Sequence, residues 1–342
     1  MKQVFLLIIF FLVTVSSYSQ KLSEANRRIL EKKEDTLKRL AYRILNDNQG
    51  QPSLMADSMF TRLLVRALKT PNSFYYSFDS LSTISVLVPP DSSFRIFTWQ
   101  VMINDDLTRK HGAIQMRTID GSLKLFPLID KSDVTDNIQD TVANNFGWMG
   151  AVYYKVIQKT AYNKNFYTFL GYDENNIRSN RKIIEVLTFK NGEPVFGGPY
   201  FSFPNGSFTT KFGNRYVMEY KKHAGPRLNY DSDEDMIMVE HLISESGEPN
   251  KKYTLVPDGD YDALKWRDGR WVYITKVYTY KLKDGEAPVP HPLNADNGTL
   301  SEKSMGEEIS SDDDSPTNGD DKPASKTKKD KKKGKKDNSD KN

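Results

Sequence analysis

The 342-residue chain contains no cysteine. Disulfide bonds are therefore excluded, and so are a thiolate nucleophile, a cysteine-ligated zinc and the lipid-modified N-terminal cysteine of a bacterial lipoprotein. Because no covalent cross-link restricts the unfolded chain, stability must come from apolar burial and hydrogen bonding.

Recognisable catalytic motifs are also missing. The four histidines include no pair with the i,i+4 spacing of a helical zinc site. The phosphate-binding loop, the Gly-x-Gly-x-x-Gly dinucleotide loop and the Gly-x-Ser-x-Gly nucleophile elbow are absent. Ser179 and Lys182 match Ser-x-x-Lys, but turn residues and a β-rich run surround them where an acyl-serine enzyme needs a helix start. We therefore expect a non-enzymatic protein without a cofactor.

The chain has one long apolar run, residues 4–13, which follows Lys2. Ser17 and Ser19 occupy the two positions that a signal peptidase reads, so residues 1–19 are predicted to be a cleavable secretory signal. The run is shorter than the ~20 residues of a membrane helix, and we expect no transmembrane helix after cleavage. An uncleaved anchor is the alternative. The mature protein is expected in the periplasm, outside the cell or associated with the outer membrane.

Neither sign of charge is in large excess, since the chain has 49 Lys+Arg against 45 Asp+Glu. Residues 284–342 carry 11 of the lysines and 14 of the acidic residues, which leaves this tail at −3 and the preceding chain at +7. So modest a charge lacks the clustered basic face of a nucleic-acid-binding protein, and we expect no nucleic-acid partner.

The tail, residues 284–342, has an acidic block followed by a lysine block. Since almost nothing in it is apolar, burial would not offset the entropy of ordering, and the tail is predicted to be disordered. The lysine block is either a solvated tail or an electrostatic tether to an anionic surface.

Residues 20–71 are predicted to form a helical hairpin. The first helix spans 22–47, with Ser23 as its cap and an apolar face made of Ile29, Leu37, Leu40, Ala41, Ile44 and Leu45. Residues 48–52 break the pattern. The second helix spans 54–68, with Ser53 as its cap, Pro71 after its end and an apolar stripe of Met59, Phe60, Leu63, Leu64 and Ala67.

Residues 72–283 are predicted to be a β-rich domain, because helical spacing gives way to alternation. The run 94–103 is apolar on both faces, which is typical of a central strand covered on both sides. Asp-Gly at 120–121, Asn-Gly at 191–192 and Asp-Gly at 268–269 predict tight hairpins. Further strands are expected at 114–118, 123–128, 152–157, 166–172, 183–189, 216–220, 236–242, 253–256 and 271–280. The predicted fold is mainly β, with antiparallel meander sheets arranged as stacked sheets, a barrel or a propeller-like array.

Several motifs of this domain occur in an order that resembles a family of uncharacterised secreted proteins of Bacteroidota. They lie at residues 94–99, 167–173, 181–187, 194–197 and 236–242. The resemblance covers roughly residues 74–280 and carries no assigned activity or catalytic residue. It implies a Gram-negative cell envelope setting.

Two sets of side chains are candidate sites. Trp148, Trp266 and Trp271 would provide a sugar-stacking platform, although aromatic residues in alternating strands are also typical core residues. The second set consists of Asp231, Asp233 and Asp235 in an acidic run. Alternate carboxylates on a loop can surround a calcium ion. The alternative is that these side chains are simply hydrated.

Two functions remain open from the sequence. The first is a non-enzymatic binding or structural module of the cell envelope, whose partner is an envelope protein or a polysaccharide. The second is an envelope hydrolase whose carboxylates meet only in the fold. A cleft that holds two close, buried acids would favour the second function, the candidates being Asp173, Glu185, Glu219 and Glu240.

If the lysine block is a tether, deleting residues 322–342 should weaken retention on envelope membranes more at low salt than at high salt. The physical reason is screening, since the Debye length falls from ~30 Å at 0.01 M to ~3 Å at 1 M ionic strength. Fractionation over this salt range measures the effect. Unchanged retention at low salt would reject the tether.

Overall fold

The computed structural model describes residues 22–47, 50–205 and 209–278. The predicted signal at 1–19 and the predicted disordered tail at 284–342 lie outside these residues. The described part is mainly β, with two helices ahead of antiparallel sheets, as the sequence predicts. Neither of these helices is both long and apolar enough to cross a membrane.

The two helices are α1 (Glu24–Asn46) and α2 (Gln51–Leu68). Ser23 caps α1 as predicted, accepting a hydrogen bond from the Asn26 backbone N–H at 3.2 Å. The predicted start of α2 is wrong, because Gly50 occupies the N-cap with φ 88° and Pro52 lies in the first turn. Proline fits there since the first turn has no intrahelical partner for its missing N–H. Ser53 is inside the helix, where its hydroxyl donates to the Gly50 carbonyl.

The prediction of the buried face of α1 is confirmed at Leu37, Leu40, Ala41 and Ile44 but is wrong at its two ends. Ile29 and Leu45 are 45% and 65% exposed, and Met59 of α2 is 46% exposed. The buried face follows the helical period and includes a carboxylate; it consists of Leu30, Glu34, Leu37, Leu40, Ala41 and Ile44. Glu34 is retained in this face because the Tyr76 hydroxyl and the Ser80 backbone N–H donate to it.

The strands form three sheets, whose strand orders differ. The first sheet has the order β1 (Ser85–Leu87), β2 (Phe94–Asn104), β3 (Leu107–Met116), β4 (Lys124–Ile129). The second has the order β5 (Ala143–Asn144), β9 (Glu193–Phe196), β8 (Ser179–Lys190), β7 (Lys164–Asp173), β6 (Val152–Ala161), and β12 (Tyr216–Lys221) pairs with residues 179–184 of β8. The third has the order β11 (Thr209–Gly213), β10 (Phe201–Asn205), β16 (Arg270–Ile274), β15 (Leu255–Arg267), β14 (Met236–Ser244), β13 (Leu228–Asp231).

Among residues 22–47, 50–205 and 209–278, all pairs of these strands are antiparallel except β10 with β16, which run parallel. The predicted Asn191-Gly192 and Asp268-Gly269 turns join β8 to β9 and β15 to β16, and all four residues have positive φ. The Asp120-Gly121 turn sits in a longer connection between β3 and β4.

These elements stack as four layers. The helices cover one face of β2 through Phe97, Trp99 and Val101. The opposite face of β2 packs on the second sheet, whose other face packs on the third sheet. The predicted central strand at 94–103 is therefore confirmed, and stacked sheets are the arrangement that the chain adopts.

A hydrogen-bonded carboxylate joins the helices to the first sheet. Asp57 of α2 is buried, and its two oxygens lie 2.7 Å from the Trp99 indole nitrogen and 3.2 Å from Nδ1 of His111. Trp99 and His111 are directly opposite each other on β2 and β3. One helical side chain thus holds a cross-strand pair.

A buried ion pair lies between the first and second sheets. Arg215 and Glu185 are both about 1% exposed, and Nη2 and Nε of Arg215 lie 2.7 and 2.8 Å from one carboxylate oxygen. The other oxygen accepts a hydrogen bond from the Tyr153 hydroxyl. Burial and the Glu185 charge raise the pKa of this hydroxyl well above its ordinary value. Arg215 also donates to the backbone carbonyls of Ile138 and Thr141. This pair therefore anchors the 138–141 loop in a chain without disulfides.

Replacing Glu185 with Gln should lower the free energy of unfolding by about 3–5 kcal/mol, because Arg215 is left as a buried charge without its counterion. Urea unfolding followed by tryptophan fluorescence measures the change. Glu193→Gln is the matched control, since Glu193 lies in the same sheet but is exposed, and it should change stability by less than about 0.5 kcal/mol. Equal stability of the two variants would contradict the anchoring role.

Candidate functional site

The three predicted tryptophans do not share one surface. Trp148 and Trp271 have no exposed area, and each donates its indole N–H to a buried partner, Tyr153 and Thr168 respectively. Trp148 lies between the first and second sheets, whereas Trp271 lies between the second and third. Trp266 is half-buried and packs edge-on against Trp271 at 5.3 Å. Since stacking needs an open ring face, only Trp266 keeps surface that a sugar ring can reach.

The acidic run between β13 and β14 has internal partners. One oxygen of Asp231 accepts the backbone N–H groups of Asp233 and Glu234 at 2.9 and 3.2 Å, which makes a tight Asx turn. Asp235 accepts the Lys159 ammonium and the Tyr230 hydroxyl. Partial burial would raise the pKa of Asp235, but these two hydrogen bonds bring it below its ordinary value. Within residues 22–47, 50–205 and 209–278, no group of three or more acidic or histidine side chains is arranged to hold a metal ion.

The four candidate hydrolase acids are divided among different surroundings. Glu185 is bound to Arg215 in the core, as described above. Asp173 is 1% exposed beside Lys110, and burial raises its pKa although Lys110 opposes the shift. The Arg181 guanidinium bridges Asp173 and Glu219 at 3.7 and 3.1 Å. The two most buried acids therefore face basic side chains instead of each other.

A small cavity of about 310 Å³ between β12 and the third sheet includes Glu219 and Glu240 in its wall. Both carboxylates have partners, since Glu219 accepts the Ser179 hydroxyl at 2.6 Å and Glu240 accepts the Arg227 backbone N–H at 2.6 Å. Glu219 and Glu240 therefore do not form a free acid–base couple of the kind that glycoside hydrolysis needs.

A larger groove of about 800 Å³ lies at the ends of the second and third sheets, where hairpin turns from both sheets meet. Its walls combine aromatic rings with basic and amide groups: Tyr162, Lys164, Asn165, Phe166, Tyr167, Thr188, Phe189, Lys190, Pro199, Tyr200, Asp268, Gly269 and Arg270. This size and mixture are typical of a ligand site.

Tyr162 is the most unusual residue of the groove. It begins the two-residue turn between β6 and β7 with φ 50°, a conformation that is costly for an aromatic residue. Its hydroxyl donates to the Asp268 carbonyl at 3.1 Å, and yet the side chain is 75% exposed. A Cβ on Gly269 would lie only 2.8 Å from the Tyr162 ring, so the glycine allows the ring to approach the turn. The result is an exposed aromatic ring that is fixed in place.

The groove floor is held by an aromatic cluster and by one carboxylate. The Phe166 ring packs against Tyr200 at 5.3 Å and Trp266 at 5.5 Å. Asp91 accepts the Tyr167 hydroxyl at 2.7 Å and the Asn165 amide at 3.2 Å. Partial burial would raise the pKa of Asp91, but the hydrogen bonds from Tyr167 and Ser93 keep it below its ordinary value.

Three cations lie in the groove wall. Arg270 donates to the Pro199 carbonyl at 3.1 Å and covers the Phe212 ring at 4.8 Å. Lys164 and Lys190 make no ion pair or side-chain hydrogen bond with any residue that the structure describes. Asp268 is the acidic residue of the wall.

Comparisons with family models, with curated proteins and with solved structures find no match for this chain. The groove is consequently interpreted from its own chemistry.

Sequence reasoning did not find this groove. Its parts come from four separate segments that meet only when the second and third sheets stack. One local signal was available: Tyr162-Asn163 separates two alternating runs, and asparagine tolerates positive φ. That signal predicts a hairpin turn but not the exposure of the tyrosine ring.

Asp91→Asn should destabilise the loop that holds Tyr167 and Asn165. Because the folded-state pKa of Asp91 is depressed, its ionised carboxylate contributes stability above about pH 4, and the contribution disappears as pH falls through the folded-state pKa. The stability difference between wild type and variant should therefore be constant from pH 5 to 8 and shrink in acid. Thermal unfolding across this pH range measures it.

Asp120→Asn is the matched control. Asp120 accepts the same two hydrogen bonds from a serine two residues later, but its partners lie in its own exposed loop. A larger loss for Asp120→Asn than for Asp91→Asn would contradict the role assigned to Asp91.

Proposed function

We propose that this protein is a non-enzymatic binding module of the cell envelope and that its groove binds a polysaccharide. The single observation that carries the proposal is Tyr162, an aromatic ring that is 75% exposed and fixed by a hydrogen bond at a backbone position with φ 50°. The strained backbone and the exposed ring both cost free energy. A ligand that stacks on the ring would account for both features.

The composition of the groove supports a carbohydrate ligand. Sugar rings offer an apolar face bordered by hydroxyl groups, and such a ligand needs flat aromatic rings beside hydrogen-bonding side chains. Tyr162 and Tyr200 provide rings, whereas Asn165 and Thr188 provide amide and hydroxyl groups.

The envelope setting rests on the predicted signal at residues 1–19 and on the family resemblance of residues 74–280. The absence of cysteine is compatible with an exported protein that uses buried contacts such as Glu185 with Arg215 in place of disulfides. The hydrolase alternative has weaker support, because the candidate acids are bound to basic or backbone partners.

Tyr162→Ala should weaken polysaccharide binding about tenfold or more, since truncating an aromatic anchor commonly removes over 1 kcal/mol of binding free energy. Folding should be little affected, because the side chain is mostly exposed. Retardation on affinity gels that contain envelope polysaccharides measures the binding, and thermal unfolding checks the fold.

Tyr42→Ala is the matched control, as Tyr42 is 62% exposed on α1 and lies outside the groove. Gly269→Ala provides a second test, because the added methyl group would displace the Tyr162 ring. Binding that survives both Tyr162→Ala and Gly269→Ala would contradict the proposed site.

A further inference from the structure

We infer that the polysaccharide in the groove is acidic and carries carboxylate or sulfate groups along its chain. This inference rests on the proposed function and specifies its ligand class. The observation behind it is the placement of Lys164 and Lys190.

The two lysines lie at corresponding positions on neighbouring strands. β7 and β8 run antiparallel, and their last pair at this end is Tyr167 with Leu187. Lys164 and Lys190 each lie three residues beyond that pair, one at the start of β7 and the other at the end of β8, and both are exposed and border the same groove.

Neither lysine forms an ion pair with a carboxylate in the described part of the chain. Glu193 lies opposite Lys190 in the next hairpin but forms no ion pair with it. Three lysines in less exposed positions are, by contrast, neutralised by a carboxylate; the pairs are Lys110 with Asp173, Lys159 with Asp235 and Lys222 with Glu174. The groove lysines are therefore cations without a counterion, at the place where the ligand is proposed to lie.

Arg270 adds a third cation to the same wall, against the single acidic side chain of Asp268. The groove thus carries an excess of positive charge beside a stacking ring. An acidic sugar that stacks on Tyr162 would place an anionic group near Lys164, which follows Tyr162 by two residues. Electrostatic complementarity of this kind contributes mainly to specificity and to the rate of association.

The test measures binding of the full-length chain to polygalacturonate, alginate and chondroitin sulfate, each beside its carboxyl-reduced or desulfated neutral counterpart. Wild type, Tyr162→Ala and the double variant Lys164→Gln/Lys190→Gln are compared by isothermal titration calorimetry. A second double variant, Lys32→Gln/Lys38→Gln, removes the same charge from exposed positions of α1. The lysine-rich tail is common to all four proteins, so its own attraction cancels in the comparison.

We expect an acidic glycan to bind more tightly than its neutral counterpart. Lys164→Gln/Lys190→Gln should weaken that binding about five- to tenfold, as expected for the loss of two exposed ion pairs. The difference between this variant and wild type should shrink at ~1 M salt because of screening. Lys32→Gln/Lys38→Gln should bind like wild type.

Three results would overturn the inference or its basis. Equal binding of acidic and neutral glycans, with no effect of Lys164→Gln/Lys190→Gln, would reject the acidic ligand and leave polysaccharide binding intact. Equal losses in the two lysine double variants would reduce the effect to diffuse charge and reject the inference. Absence of glycan binding, or binding unchanged by Tyr162→Ala, would reject the proposed function itself.

Discussion

Burial of the second sheet on both faces is the constraint on which the rest of this structure depends. Phe169 and Ile183 point toward the first sheet, whereas Leu170 and Ile184 point toward the third. A sheet in this position must be apolar on both sides, and every polar group it buries needs a partner. Glu185 meets that requirement through Arg215 and Tyr153, and Asp173 of the same sheet meets it through Lys110, so both buried carboxylates have a charged partner.

The groove is a consequence of the same stacking. When the second and third sheets pack face to face, the turn at 162–163 meets the turn at 268–269, and the Tyr162 hydroxyl closes the contact. Asp91 extends the arrangement, because it ties a loop that precedes the first sheet's β2 to Tyr167 of the groove floor. Segments of all three sheets thus hold the groove wall in place, while the side chains of Tyr162, Lys164 and Lys190 stay exposed to solvent.

Local patterns predicted much of the fold because they depend on neighbouring residues alone. Alternation on both faces of residues 94–103 correctly predicted a covered central strand, and Asn191-Gly192 and Asp268-Gly269 correctly marked hairpins. The start of α2 was misjudged because Pro52, a breaker inside a helix, is compatible with the first turn. The exposure of Ile29 and Leu45 was missed because apolar character alone does not show which positions beside the buried face the neighbouring elements cover.

The site itself was beyond sequence reasoning for a different reason. Trp266 was a candidate and does contact Phe166 of the groove floor, but Trp148 and Trp271 are core residues of two different layers. Which aromatic ring remains exposed depends on the stacking of distant segments. The presence of Lys164 and Lys190 in the wall of one groove likewise follows from the pairing of β7 with β8, which no local pattern fixes.

The most direct test of the account is an NMR titration of the isotopically labelled protein with the acidic glycan that it binds most tightly. The account predicts that shifts in backbone and aromatic signals are confined to the groove, with the largest at Tyr162, Lys164 and Tyr200. Shifts centred on the cavity beside Glu219 and Glu240, or on the outer face of the helices, would contradict it.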